Sequence, residues 1–181
     1  MNLTDNRFSK LLSGDANFGI DPLSSEFKST PGMQKLMGEV GITNTLCWSP
    51  DGARVYMADT LKGVIWSFAY DPNGPRLTDQ QVFVEGGDGG PDGSAMDEDG
   101  CLWTARWGAG HVVRYAPDGR IDRTIELPCR QPSSCAFGGP DRRTLYVTSA
   151  RIGLETPGDF DGALFAVPVE VAGLPMTPFG G

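Results

Sequence analysis

Asn44-Thr-Leu-Cys-Trp-Ser-Pro-Asp51, Asp92-Gly-Ser-Ala-Met-Asp-Glu-Asp99 and Ser134-Cys-Ala-Phe-Gly-Gly-Pro-Asp141 share one plan: a short polar residue stands seven positions ahead of an aspartate. After each aspartate come a turn and an aromatic-bearing strand, Val55–Ala58, Leu102–Ala105 and Leu145–Thr148. A third strand follows in each unit: Gly63–Tyr70, where large apolar residues alternate with small or polar ones, and Gly110–Tyr115 and Gly162–Val167 at the same place in their repeats. Gln80–Glu85 and Asp122–Leu127 read as fourth strands. Asp71-Pro-Asn-Gly74 and Ala116-Pro-Asp-Gly119 supply turns, with glycine where a positive φ is needed. Four antiparallel strands repeated every forty-odd residues make the blade of a β-propeller, because one unit cannot bury its own apolar faces and must stack on copies.

Working outward, residues 33–181 read as propeller blades and 1–32 as a divergent N-terminal segment without the repeat. Met33–Val40 is expected to be the outer strand of a preceding blade. The result is an all-β chain with about three recognisable four-stranded blades, against the four to eight of a closed ring. Trp48, Trp66, Trp103, Phe68 and Phe137 are expected in the core between blades. Unpaired blade edges invite self-association.

The bulk composition narrows the function. The 181 residues are 39% hydrophobic and 21% charged, with 25 glycines and 14 prolines, as many short strands joined by tight turns require. A formal net charge of −8 argues against nucleic acid, whose binders present basic surface. No apolar run reaches membrane-spanning length, and the N-terminus lacks the apolar core of a secretory signal. The four cysteines show no Cys-x-x-Cys spacing; Cys47, Cys101 and Cys135 lie in or beside expected strands and, read as buried free thiols, favour a reducing compartment, the cytoplasm.

Equivalent positions of stacked repeats converge, so the residues that open the innermost strands are the candidate site. Asn44 and Asp92 are hard oxygen donors at two such positions, suited to one divalent cation: Ca2+ first, with Mg2+, Mn2+ or Zn2+ as alternatives. Asp92 beside a cation would orient or deprotonate water. The competing reading makes Asp92-Gly93 a turn dipeptide and Asn44 a loop support. Ser134 occupies the third equivalent position, as a substrate contact or as a strand-start residue that satisfies backbone groups. Arg106 ends a strand and is placed either at the channel mouth, as a substrate-attracting guanidinium, or with its stem packed on a neighbouring blade. A Ser134–His111 hydrolase is disfavoured, because His111 is the sole histidine.

Together with Trp48-Ser-Pro-Asp-Gly52, Trp103-Thr-Ala-Arg-Trp-Gly108 and Leu145-Tyr-Val-Thr-Ser-Ala-Arg151, these segments resemble the SMP-30/gluconolactonase/luciferin-regenerating-enzyme family over about residues 33–175, its C-terminal half. The resemblance implies a six-bladed propeller, one divalent metal in the central channel, and hydrolysis of a sugar lactone by metal-activated water. By position, Asn44 and Asp92 match two of the family's metal ligands. The remaining ligand, a glutamate, lies in the family's first blade, and its substrate-contacting residues lie chiefly in the second and third. Arg7, Asp15, Asn17 and Asp21 do not reproduce that pattern. Two functions therefore stand: a metal-dependent lactonase with Asp92 catalytic, or a fragment that binds a cation or small molecule without turnover.

Overall fold

Turns built on aspartate side chains separate the strands. Asp51 Oδ1 accepts the Ser49 hydroxyl (2.6 Å) and the Ala53 N–H (3.0 Å), and Asp141 Oδ1 accepts the Arg143 N–H (3.1 Å). In the middle repeat this duty falls to Asp97, whose Oδ1 accepts the N–H groups of Asp99 and Cys101. Such side-chain acceptors add to the backbone bonds at the turns and account for the aspartates at positions 51, 97 and 141.

The computed structural model describes residues 34–71, 73 and 76–175. Eleven strands follow in chain order: β1 (Thr43–Trp48), β2 (Arg54–Asp59), β3 (Val64–Asp71), β4 (Arg76–Glu85), β5 (Gly90–Met96), β6 (Leu102–Trp107), β7 (His111–Tyr115), β8 (Ile121–Glu126), β9 (Pro132–Gly138), β10 (Thr144–Ser149) and β11 (Leu164–Pro168). They form three antiparallel sheets, β1-β2-β3-β4, β5-β6-β7-β8 and β9-β10-β11. The first two are complete four-stranded meanders; the third has three strands among the described residues, one fewer than the expected blade. Residues 34–40 carry no strand, so the expected outer strand at Met33–Val40 does not form over its described part. All eleven strands fall within one unit, Leu36–Gly181.

The sheets face one another through their alternating apolar residues. Cys47, Tyr56, Ala58 and Ile65 of the first sheet meet Met96, Leu102, Val113 and Tyr115 of the second. Trp103 and Val112 on the second sheet's opposite face meet Cys135, Leu145 and Val147 of the third. Each fully buried aliphatic side chain contributes about 1.5–3 kcal/mol of transfer free energy, so these two layers are what hold the sheets together. All four cysteines are free and buried, as expected of Cys47, Cys101 and Cys135; Cys129 joins them.

Aromatic residues divide less simply than expected. Trp103 is 1% exposed, and its indole N–H donates to Asp97 Oδ2 (2.8 Å). Phe68 is also buried, and Phe137 packs edge-on against Trp103. Trp48, by contrast, is 40% exposed, with its ring edge-on to Tyr70. Beside Trp103, the Arg114 guanidinium bonds Asp97, Asp99 and Asp122 at 2.7–2.9 Å, tying the β5–β6 turn to β7 and β8.

Candidate functional site

The first strands of the three sheets, β1, β5 and β9, lie side by side. Two of them carry a bulge at the candidate residues: the β1–β2 register shifts between Asn44 and Cys47, and the β5–β6 register between Pro91 and Ser94. An extra residue in one strand bends it and re-aims its side chains, a device common beside functional sites. Thr45, inside the first bulge, takes a left-handed φ of 55° although it is β-branched and buried.

Hydroxyl groups fasten the bulged strands to each other. Thr45 Oγ1 donates to the Asp92 carbonyl (2.6 Å) and lies 2.9 Å from Ser94 Oγ, which in turn bonds Thr104 Oγ1 (2.9 Å). Asn44 Nδ2 donates to Thr60 Oγ1 (2.8 Å), and Thr60 Oγ1 donates to the Pro91 carbonyl (2.7 Å). Between β5 and β9 the approach is closer still: a Cβ added to Gly93 would lie 2.2 Å from Ser134 Oγ. Only glycine fits so near a neighbouring strand.

A cavity of about 390 Å3 opens where these strands meet, lined by Thr43, Asn44, Thr45, Gly93, Ser94 and Ser134, among others. Two predicted residues, Asn44 and Ser134, therefore share one wall. Asp92 directly precedes the lining residue Gly93 and is half-buried. Burial pushes its carboxyl up to about 6, with the Gly93 N–H offsetting part of the rise. Among the described residues no lysine or arginine pairs with it. A desolvated carboxylate without a cationic side chain is the kind of donor that suits a hard divalent cation. No group of three or more His, Cys, Asp or Glu residues among those described could hold a metal.

Arg106, read from the sequence either as a channel-mouth contact or as a packed stem, is buried. It is 1% exposed, and its guanidinium donates to the carbonyls of Gly86 (2.7 Å), Gly89 (2.8 Å) and Asp88 (3.0 Å). These belong to the glycine-rich link that leads into Pro91 and Asp92, so Arg106 holds that link through Nε and Nη2, while its buried Nη1 has no hydrogen-bond partner. Asp59 is likewise a linker residue. Although burial raises its carboxyl, the N–H groups of Gly41, Ile42 and Lys62 outweigh that and hold it below the usual range. His111 and Ser134 share no hydrogen bond among the described residues. The sequence alone does not mark Thr45, Thr60 or Ser94; its one hint is the position of Thr45 next to Asn44.

The sequence matches the family described as "SMP-30/Gluconolactonase/LRE-like region" over residues 20–151. Residues 5–34 match the NUC153 domain, nearly all of them outside the described part. The chain is 40% identical over 154 residues to 6-deoxy-6-sulfogluconolactonase of Pseudomonas putida, a match covering 82% of this chain and 53% of that one. It is 40% identical over 152 residues to L-arabinolactonase of Azospirillum brasilense, covering 77% and 48%. The crystal structure of a calcium-binding protein, regucalcin, from Agrobacterium tumefaciens strain C58 superposes with a TM-score of 0.71 at 37% identity, covering 78% of this chain and 50% of that one. The chain spans about half the length of the relatives it matches. With the paired bulges, the stacked meanders and these matches in hand, the chain belongs to the SMP-30/gluconolactonase/LRE-like family of β-propellers.

Proposed function

We propose that this chain holds a divalent cation through Asn44 and Asp92 and takes part in opening a sugar lactone by hydrolysis. The observation that carries this reading is the meeting of Asn44, Ser134 and Gly93, the residue that directly follows Asp92, around one cavity. It is supported by 40% identity to two lactonases and by likeness to a calcium-binding relative. Ca2+ is the first choice because it accepts neutral amide oxygens and several waters.

A cation at this place would polarise the lactone carbonyl and offset the negative charge that develops on its oxygen. The Asp92 carboxyl, pushed up to about 6 by burial, is ionised at neutral pH and accepts a proton from the attacking water. The water oxygen bonds to the carbonyl carbon, the ring C–O bond breaks, and the proton ends on the released ring hydroxyl. The Ser134 hydroxyl, on the cavity wall, offers a hydrogen bond to a sugar hydroxyl. The four buried free thiols suit a reducing compartment and support a cytoplasmic place of action.

A second reading, cation or small-molecule binding without turnover, is favoured by one observation: among the described residues no group of three or more His, Cys, Asp or Glu could hold a metal. Lactone opening followed by pH-stat separates the two. The hydrolytic reading expects a rate above the spontaneous one that is lost with chelator and in Asp92→Ala. A rate no greater than spontaneous, with cation binding retained, supports the binding-only reading. A rate indifferent to both chelator and substitution contradicts the proposed chemistry.

A further inference from the structure

Asn44 presents two chemically opposite atoms, and only its oxygen can serve a cation. Which atom faces the cavity is settled by a neighbour. Thr60, just past the end of β2, has a single hydroxyl proton, and its oxygen lies 2.7 Å from the Pro91 carbonyl and 2.8 Å from the Asn44 amide. A carbonyl can only accept, so the Thr60 proton is committed to Pro91. What Thr60 then offers Asn44 is a lone pair, which an amide N–H can meet and an amide oxygen cannot.

The geometry assigns Thr60 as a positioning residue of the candidate site: its hydroxyl fixes the Asn44 amide with nitrogen inward and Oδ1 left for the cavity that Asn44 lines. This inference rests on the cation-binding reading above and deepens it. Two further contacts fix the hydroxyl itself. The Thr60 methyl abuts β5 where a Cβ on Gly90 would lie only 2.7 Å away, so the side chain is packed into one rotamer. The bond to Pro91 also anchors the backbone directly ahead of Asp92. One side chain of the first sheet thereby orients one ligand and tethers the strand that carries the other, as outer partners of metal ligands do.

The test compares wild type, Thr60→Val and Thr60→Ser by calorimetric titration with calcium chloride, with thermal melting in parallel. Valine keeps the shape and removes the hydroxyl; serine keeps the hydroxyl. We expect calcium affinity to fall on the order of tenfold to a hundredfold in Thr60→Val, the usual effect of deleting such a partner, and to stay within a few-fold in Thr60→Ser. A Thr60→Val protein that melts like wild type and binds calcium equally well overturns the assignment. Wild type that takes up no calcium removes the cation-binding reading, and this inference with it. Should Thr60→Val not fold, side-chain amide exchange of Asn44 in the wild-type protein reads the same bond. Protected Asn44 amide protons support it, and freely exchanging ones overturn it.

Discussion

Gly93 and Ser134 show how little room separates adjacent first strands. A methyl group at position 93 would meet Ser134 Oγ at 2.2 Å, its Cβ at 2.5 Å and its Cα at 2.8 Å. Two of these atoms belong to a removable side chain and one to backbone. Gly93→Ala is therefore expected to cost about 1–3 kcal/mol, the usual penalty for overpacking, measured by denaturant unfolding. Adding Ser134→Gly should restore part of that loss and not all of it, because the backbone at position 134 still crowds the new methyl group. Equal stability of Gly93→Ala and wild type would mean that β5 and β9 do not approach as closely as described. The dipeptide Asp92-Gly93 could be read from sequence as a turn; its glycine serves instead for close packing. Nothing local distinguishes those uses, since the partner lies forty residues on, in β9.

At the scale of elements, the long connection from β10 to β11 is fastened by one buried carboxylate. Asp161 Oδ1 accepts the Arg130 N–H (2.7 Å), and Oδ2 accepts the Gly158 N–H (2.9 Å) and the Arg130 guanidinium (2.9 Å). Those backbone N–H groups, with Arg130, hold its carboxyl down to about 2. A carboxyl depressed in the folded state contributes stability above its unfolded value of about 4, and that contribution is lost as pH falls toward 2. The stability gap between wild type and Asp161→Asn should accordingly be wide at pH 6 and shrink toward pH 2. A gap independent of pH would show that charge on Asp161 does not fasten the connection. Strand order and turns were legible in the sequence because alternation and aspartate-led turns are local signals, which Val55–Ala58, Leu102–Ala105 and Leu145–Thr148 carry plainly. Met33–Val40 misled over its described part, since residues 34–40 carry no strand. The exposure of Trp48 and the burial of Arg106 were not legible, because each depends on what neighbouring elements leave open.

For the whole molecule, the repeat does more than build sheets. It sets β1, β5 and β9 side by side, so that residues almost fifty positions apart become neighbours, and hydroxyls from the first sheet hold the second sheet's leading strand through Pro91 and Asp92 carbonyls. That placement was foreseeable from the spacing of Asn44, Asp92 and Ser134. The threonine clasp was not, because it depends on bulges that the sequence does not mark. The central claim is that Asn44 and Asp92 serve one divalent cation between them. It is tested most directly by calorimetric calcium titration of wild type, Asn44→Ala and Asp92→Asn at neutral pH, with melting curves to establish folding. A single site in wild type and a large loss of affinity in each variant are expected. No binding in wild type, or binding unchanged in both folded variants, would contradict it.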